Sequence, residues 1–485
     1  MRPSILVIST GLLASQANAF WFILPWIPLP LLSVPGRQTQ SSAPPCPACD
    51  CWKTMADLAK ENRQCRAATG KDFACGSRFK RCPPPATGPY HVGLQKHVVP
   101  VLNEADPFWP NNVSTSFLVN VFYPTQQEPE PRDWERPYLD PVTARLYEQQ
   151  FNLTAGSLST IKSPGLIPDA KPLDYYHHYP DSGSSPLSVA PLPTLFFGPG
   201  GGGPMTECYT TLLSDLASYG YTVLAMDHPY EQPFVRYPNG TGILGMPISY
   251  AWDEPTALAV QSARVNDSIA LLGYLPKLEA NMAARSKSPS PFKLNQTHIG
   301  IFGHSLGGSA AAAALLEQAK QQRRGAGDER APSFRAGMNI DGTFFGPAGA
   351  DDDAEPADVR QPFLMLGFDG HGTRDSASGN VSDSTWPAFA SRQKTAYWRW
   401  LNVRGARHHD FSDITYWKTL VPELQDRGLG PIGGARLVVV WRAFVRAFFD
   451  VVLLGQTGSR ALLDAGVDAA WPEKIWVGGG DGVNA

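Results

Sequence analysis

Ile299-Gly300-Ile301-Phe302-Gly303-His304-Ser305-Leu306-Gly307-Gly308 is the stretch that decides how this chain folds. Ile299 to Phe302 form a short, almost wholly apolar run, the pattern of a strand buried on both faces. From Ser309 to Gln322 alanine dominates at first, and alanine is the best helix former. Between them stands Gly-x-Ser-x-Gly, which turns a strand sharply into a helix and projects the serine hydroxyl above the sheet. Glycine is needed two residues either side of Ser305 because side chains there would collide with the neighbouring strand and helix. A serine held in this way is a candidate nucleophile. The amide that follows it, on Leu306, points at the oxyanion that its attack would create.

Similar apolar runs recur to either side: Phe117 to Tyr123, Leu192 to Phe197, Tyr221 to Met226, Gly337 to Ile340, Phe363 to Leu366 and Trp400 to Val403. Helical stretches lie among them at Thr206 to Ser218, Ala257 to Leu275 and Leu437 to Leu454. Short, nearly all-apolar strands that alternate with helices predict an α/β fold, a mostly parallel central sheet flanked by helices on both faces. The polar stretches Gln126 to Arg132, Ser182 to Pro186 and Gly346 to Asp358 read as surface insertions.

A serine hydroxyl needs a base, and the base needs an orienting carboxylate. After Ser305 the histidines are His371, His408 and His409, and the last two follow the final predicted strand. Asp341 and Asp369 each end a strand, and position alone leaves both open as the acid. A second oxyanion donor is expected from the loop Gly198-Pro199-Gly200-Gly201-Gly202-Gly203, whose backbone can approach a ligand closely. These residues also satisfy Gly-x-Gly-x-x-Gly, with Asp227 ending the next strand where a ribose-binding acid would sit. Against a dinucleotide site, Pro199 removes an amide donor, Pro204 stiffens the start of the helix, and the nucleophile turn would be left unexplained.

Further motifs sharpen the reading. Gly88-Pro89-Tyr90-His91-Val92-Gly93, the strand ending Tyr123-Pro124, Leu216 to Tyr221, Asn339-Ile340-Asp341-Gly342 and Arg404 to Asp413 occur in that order. On these segments the chain resembles the secreted platelet-activating-factor acetylhydrolases, serine-dependent phospholipases A2 of the α/β-hydrolase fold. The resemblance covers about residues 88 to 455. It implies Asp341 as the acid, His408 as the base, and the amides of Leu306 and Gly201 as the oxyanion donors. It also implies a phospholipid substrate with a short or oxidised acyl chain at the second position, and no cofactor or metal. Two departures stand out: Gly198-Pro199-Gly200 replaces the family's His-Gly pair, and Gly201 replaces a commonly larger residue. From the residues alone the substrate is a carboxylic ester, which a secreted lipase, a cutinase-like enzyme or a general carboxylesterase would equally take. A hydrolase fold without activity, used for binding, is opposed by the intact set Ser305, Asp341 and His408. Phe234, Trp252, Phe344, Phe345 and Trp417 are candidates to line the acyl site, although core packing suits each of them as well.

The rest of the chain speaks to compartment. A formal charge of −3 over 485 residues offers no basic surface for nucleic acid. Met1-Arg2, the apolar run Ile5 to Ala14 and Ala17-Asn18-Ala19 form a secretory signal, residues 1–19. Pro25, Pro28 and Pro30 break the apolar stretch Phe20 to Leu32, which suits a membrane-touching arm better than a spanning helix. Asn112, Asn152, Asn239, Asn266, Asn295 and Asn380 begin glycosylation sequons. Six of the seven cysteines, Cys46, Cys49, Cys51, Cys65, Cys75 and Cys82, crowd into residues 46–85. Behind a signal they predict a disulfide-stapled module rather than a zinc site, since no histidine lies among them. Cys208 is expected to be a buried free thiol. The predicted order is therefore signal (1–19), linker (20–45), Cys-rich module (46–85), catalytic domain (86–455) and tail (456–485). Its expected partners are a lipid or other ester and a membrane or lipoprotein surface.

Overall fold

The computed structural model describes residues 82–173, 192–248, 252–286, 292–325, 331–349, 357–375, 378–424 and 427–483. The expected signal, linker and Cys-rich module up to residue 81 lie outside them, as does the expected insertion Ser182 to Pro186. The strands are β1 (His91–Asn103), β2 (Ser114–Thr125), β3 (Ile167–Pro168), β4 (Thr194–Gly198), β5 (Thr222–Asp227), β6 (Phe234–Arg236), β7 (Gly242–Leu244), β8 (Ile299–His304), β9 (Phe334–Ile340), β10 (Phe363–Phe368), β11 (Trp398–Val403) and β12 (Lys474–Gly480). Except for β6 and β7, which pair only with each other, they form one sheet in the order β12-β11-β10-β9-β8-β4-β5-β2-β1-β3. From β11 to β5 all neighbours run parallel, while β2 on β5 and β12 on β11 are antiparallel.

Six of the helices cover this sheet: α1 (Thr210–Ser218), α2 (Glu254–Ser286), α3 (Leu306–Arg323), α4 (Thr385–Arg392), α5 (Ile414–Leu420) and α6 (Gly434–Leu454). Helices α1, α5 and α6 pack on one face, and α2, α3 and α4 on the other. Leu437, Trp441, Phe444, Phe448 and Phe449 of α6 are fully buried, which explains why this helix reads as strongly apolar. Each such side chain contributes about 1.5–3 kcal/mol of burial. Among the described residues no helix is long and apolar enough to cross a membrane.

Each run read as a strand is one, within a few residues. Five strands, β1, β3, β6, β7 and β12, carry no such signal. In β1 the polar Gln95, Lys96 and His97 interrupt the apolar pattern, and β12 ends in glycines. β12 also brings the tail back onto the sheet beyond residue 455. Among the sequons, Asn112, Asn152, Asn239, Asn266 and Asn380 are exposed. Asn295 is buried, and its Oδ1 accepts from the amides of Thr297 and His298. Cys208 is a buried free thiol, and burial pushes its pKa well above the usual value.

Candidate active site

β8 ends at His304, and the chain reverses at Ser305, which takes φ 55° and ψ −124° before α3 begins at Leu306. A non-glycine residue there is strained by about 1–3 kcal/mol, so its surroundings must hold it in place. They do so by backbone contact. A Cβ on Gly307 would stand 2.0 Å from the Gly198 carbonyl oxygen, and one on Gly303 would stand 2.4 Å from the Gly307 carbonyl carbon. The clash that demands glycine thus involves the loop after β4 as well as the adjoining strand and helix. Leu306 is the first residue of α3, where amides have no partner within the helix. Gly201 lies beside it, since a Cβ on Gly201 would approach Leu306 Cδ2 to 2.8 Å.

The same Cβ would meet Cζ3 of Trp252 at 2.6 Å, so the indole fills the space that a larger residue at 201 would take. Phe108 packs on that indole with ring centroids 5.2 Å apart. Trp252 and Phe345 are half-buried near the turn, and the Phe345 amide donates to Ser309 Oγ on α3. The other acyl-site candidates belong to the core. Phe344 stacks on Phe389, Trp417 packs against Tyr138 and Tyr147, and Phe234 is buried.

β9 delivers Asp341, also in the left-handed region at φ 60°. Asn339 secures this turn: its Oδ1 accepts from the Gly342 amide, and its Nδ2 donates to the Gly342 carbonyl. Asp341 Oδ2 lies 2.6 Å from His408 Nδ1, and His408 Nε2 lies 3.1 Å from Ser305 Oγ. Because a carboxylate only accepts, His408 donates from Nδ1 and turns the lone pair of Nε2 toward the serine. Asp341 is fully buried, which by itself would raise its pKa, but His371 and His408 hold it well below the usual carboxylate range. Asp369 does not reach this site. Its carboxylate accepts from the Gly405 amide and so ties the turn after β11 to the end of β10. His409 is exposed, with its ring 5.4 Å from that of His408.

Behind these residues runs a supporting network. The Gly200 amide donates to Tyr209 Oη at 3.1 Å, and Tyr209 Oη lies 2.8 Å from His304 Nδ1. His304 Nε2 lies 3.0 Å from the His408 carbonyl, which can only accept. His304 therefore carries its proton on Nε2, and Nδ1 accepts from the tyrosine. Burial, reinforced by the neighbouring His408, lowers its pKa well below the usual value and keeps it neutral. The donor atoms of His304, Asp341 and His408 gather within 4.8 Å, a spacing that a cation could use. Both His304 nitrogens, however, are already committed to these hydrogen bonds. On the other side of the glycine loop, Arg264 donates to the carbonyls of Pro199 and Gly200 while paired with buried Glu231. Asp227 accepts from Asn120 and from the amide and hydroxyl of Thr206, so it braces the turn that leads into α1 instead of facing a ribose.

Sequence reasoning did not find Tyr209, Arg264 or Asn339 as parts of this assembly, and it left His371 without a role. His304 carried a local signal as the residue before the nucleophile; the others act through folding contacts that no spacing reveals.

A ten-stranded, mostly parallel sheet with a sharp strand–serine–helix turn at its centre defines the α/β-hydrolase fold. Among solved structures, a ferulic acid esterase from Streptomyces cinnamoneus superposes with a TM-score of 0.59 at 24% identity, over 82% of this chain and 100% of that one. In sequence, the chain is 27% identical over 304 residues to a probable 1-alkyl-2-acetylglycerophosphocholine esterase of Arthroderma benhamiae. That match covers 59% of this chain, which spans 66% of the relative's length. No family model matches the sequence.

Proposed function

We propose that this chain hydrolyses carboxylic esters through an acyl-enzyme, with Ser305 as nucleophile, His408 as general base and Asp341 as its orienting acid. The observation that carries the reading is His408 held between Asp341 Oδ2 at 2.6 Å and Ser305 Oγ at 3.1 Å. His408 takes the serine proton as Oγ attacks the ester carbonyl, and Asp341 stabilises the imidazolium that results. The amides of Leu306 and Gly201 receive the oxyanion, each donor being worth on the order of 10²-fold in rate. His408 then protonates the leaving alcohol. Water, activated by the same imidazole, releases the acid and restores the serine.

The substrate that fits best is a phospholipid with a short or oxidised acyl chain at the second position. The segments that resemble platelet-activating-factor acetylhydrolases and the name of the Arthroderma relative support it. Partly exposed aromatic side chains beside Gly201 offer an apolar wall for an acyl chain. The signal-like start of the chain supports export.

The deciding experiment measures fluorophosphonate labelling and hydrolysis of p-nitrophenyl esters from acetate to palmitate, together with a short-chain phosphatidylcholine. Ser305→Ala is the control. Labelling and short-chain activity, both lost in Ser305→Ala, are expected. Long-chain hydrolysis without phospholipid turnover would keep the serine chemistry and overturn the substrate. Activity that survives Ser305→Ala would overturn the mechanism.

A further inference from the structure

His408 is not the only histidine on Asp341. His371, in the loop after β10, places Nδ1 2.6 Å from Asp341 Oδ1 and Nε2 3.1 Å from Asp383 Oδ2. Its side chain is 4% exposed, and its ring stacks on Trp386 with centroids 4.0 Å apart. Asp383 stands just before α4, where its Oδ2 also accepts from the Thr343 hydroxyl and its Oδ1 from the amide and hydroxyl of Thr385. Asp341 Oδ1 further accepts from the Phe368 amide at 2.7 Å. Both carboxylates are thus ringed by donors.

An imidazole ring between two such acceptors has a single fully bonded state. A neutral ring would turn a lone pair on one nitrogen toward a carboxylate that has only lone pairs to offer, whereas the imidazolium donates to both. We propose that His371 is a fixed imidazolium and a positioning residue for the reaction: it locks the Asp341 carboxylate and cancels part of its charge, which sets the basicity of His408. This rests on the reading of Ser305, Asp341 and His408 given above. Burial works against the cation, but the two aspartates outweigh it and raise the His371 pKa to about 9. The charged groups facing His371 are Asp341, from the end of β9, and Asp383; the Asp369 carboxylate is turned to the Gly405 amide. Those facing His408 are Asp341, the neutral His304 and the exposed His409.

The consequence is a net charge. Asp341 and Asp383 with His371 between them present a single negative charge to His408, and without the cation they would present two. Removing that cation would leave more negative charge beside the base and move the acid limb of the rate profile upward by about one pH unit.

Two measurements on the full chain test this, using His371→Asn, which keeps a neutral donor at the place of Nδ1, and Asp383→Asn. The first is an NMR titration of histidine-labelled protein, in which the His371 signal is the one that His371→Asn lacks. Protonation of His371 past pH 8 (about one and a half units above the ordinary histidine value) supports the proposal, as does a lower midpoint in Asp383→Asn. A midpoint in the ordinary range, or one that Asp383→Asn leaves unmoved, overturns it. The second is the pH dependence of fluorophosphonate labelling of Ser305, which requires no choice of ester. An acid limb about one unit higher in folded His371→Asn supports the proposal, and an unmoved limb overturns it. Failure of the wild-type chain to label at all would sink the esterase reading, and the titration would still decide the charge on His371.

Discussion

The loops after β10 and β11 each bring a histidine to the same carboxylate and then treat it in opposite ways. After β10, His371 is sealed beneath Trp386 and its second nitrogen meets a second, partly buried aspartate. After β11, His408 is 33% exposed in its side chain and its second nitrogen meets a serine hydroxyl. A single carboxylate can therefore serve two imidazoles whose protonation differs, because the partner on the far side of each ring decides it. An acceptor fixes the cation, and a hydroxyl leaves a free base that can take a proton and give it back.

The contrast breaks most visibly when each ring is removed. His408→Ala is expected to lower kcat/KM for an ester by on the order of 10⁴-fold or more, with little change in the urea midpoint. His371→Ala leaves the buried Asp341 and the partly buried Asp383 without their cation and is expected to cost about 3–5 kcal/mol of stability. Similar urea midpoints for the two variants would erase the distinction. Asp341→Asn should strike both sides, lowering kcat by on the order of 10³–10⁴-fold and returning the His371 titration toward its usual range.

A smaller effect is the pH dependence of stability. A histidine whose folded pKa exceeds its unfolded value adds stability that is complete below the unfolded value and lost as pH rises through the folded one. For His371 that window runs from 6.5 to about 9. Urea midpoints of the wild-type chain should fall across it, and those of His371→Asn should fall less. At the small end, the exposed His409 serves as the control for the second loop. His409→Ala should shift stability by less than about 0.5 kcal/mol, and a large loss would mean that the loop depends on it.

How far the sequence reached follows from what each element must bury. β4, β5, β8, β9 and β10 are covered on both faces, so their apolar runs could be read directly. β1 pairs antiparallel with β2, and Lys96 and Val98 along it are partly or fully open to solvent, so its pattern is broken. The order of serine, acid and histidine narrowed the site to a few positions, but Asp341 and Asp369 both end strands and look alike in one dimension. They differ in three, where Asp341 meets two imidazoles and Asp369 meets the Gly405 amide. Asp383 was illegible, because nothing in Ser382-Asp383-Ser384 separates a partly buried counter-ion from an ordinary helix-start residue.

Trp252 and Gly201 occupy one volume between them. For anyone reshaping this protein, the two positions therefore form a single locus. A library that varies residue 201 alone drives every new side chain into the indole and disturbs the loop whose amide is the proposed oxyanion donor. Trimming Trp252 first opens that space and lets bulk move from one wall to the other while the backbone stays where it is. Acyl-chain length should then follow the side chain at position 252, leaving the nucleophile turn and its glycines untouched.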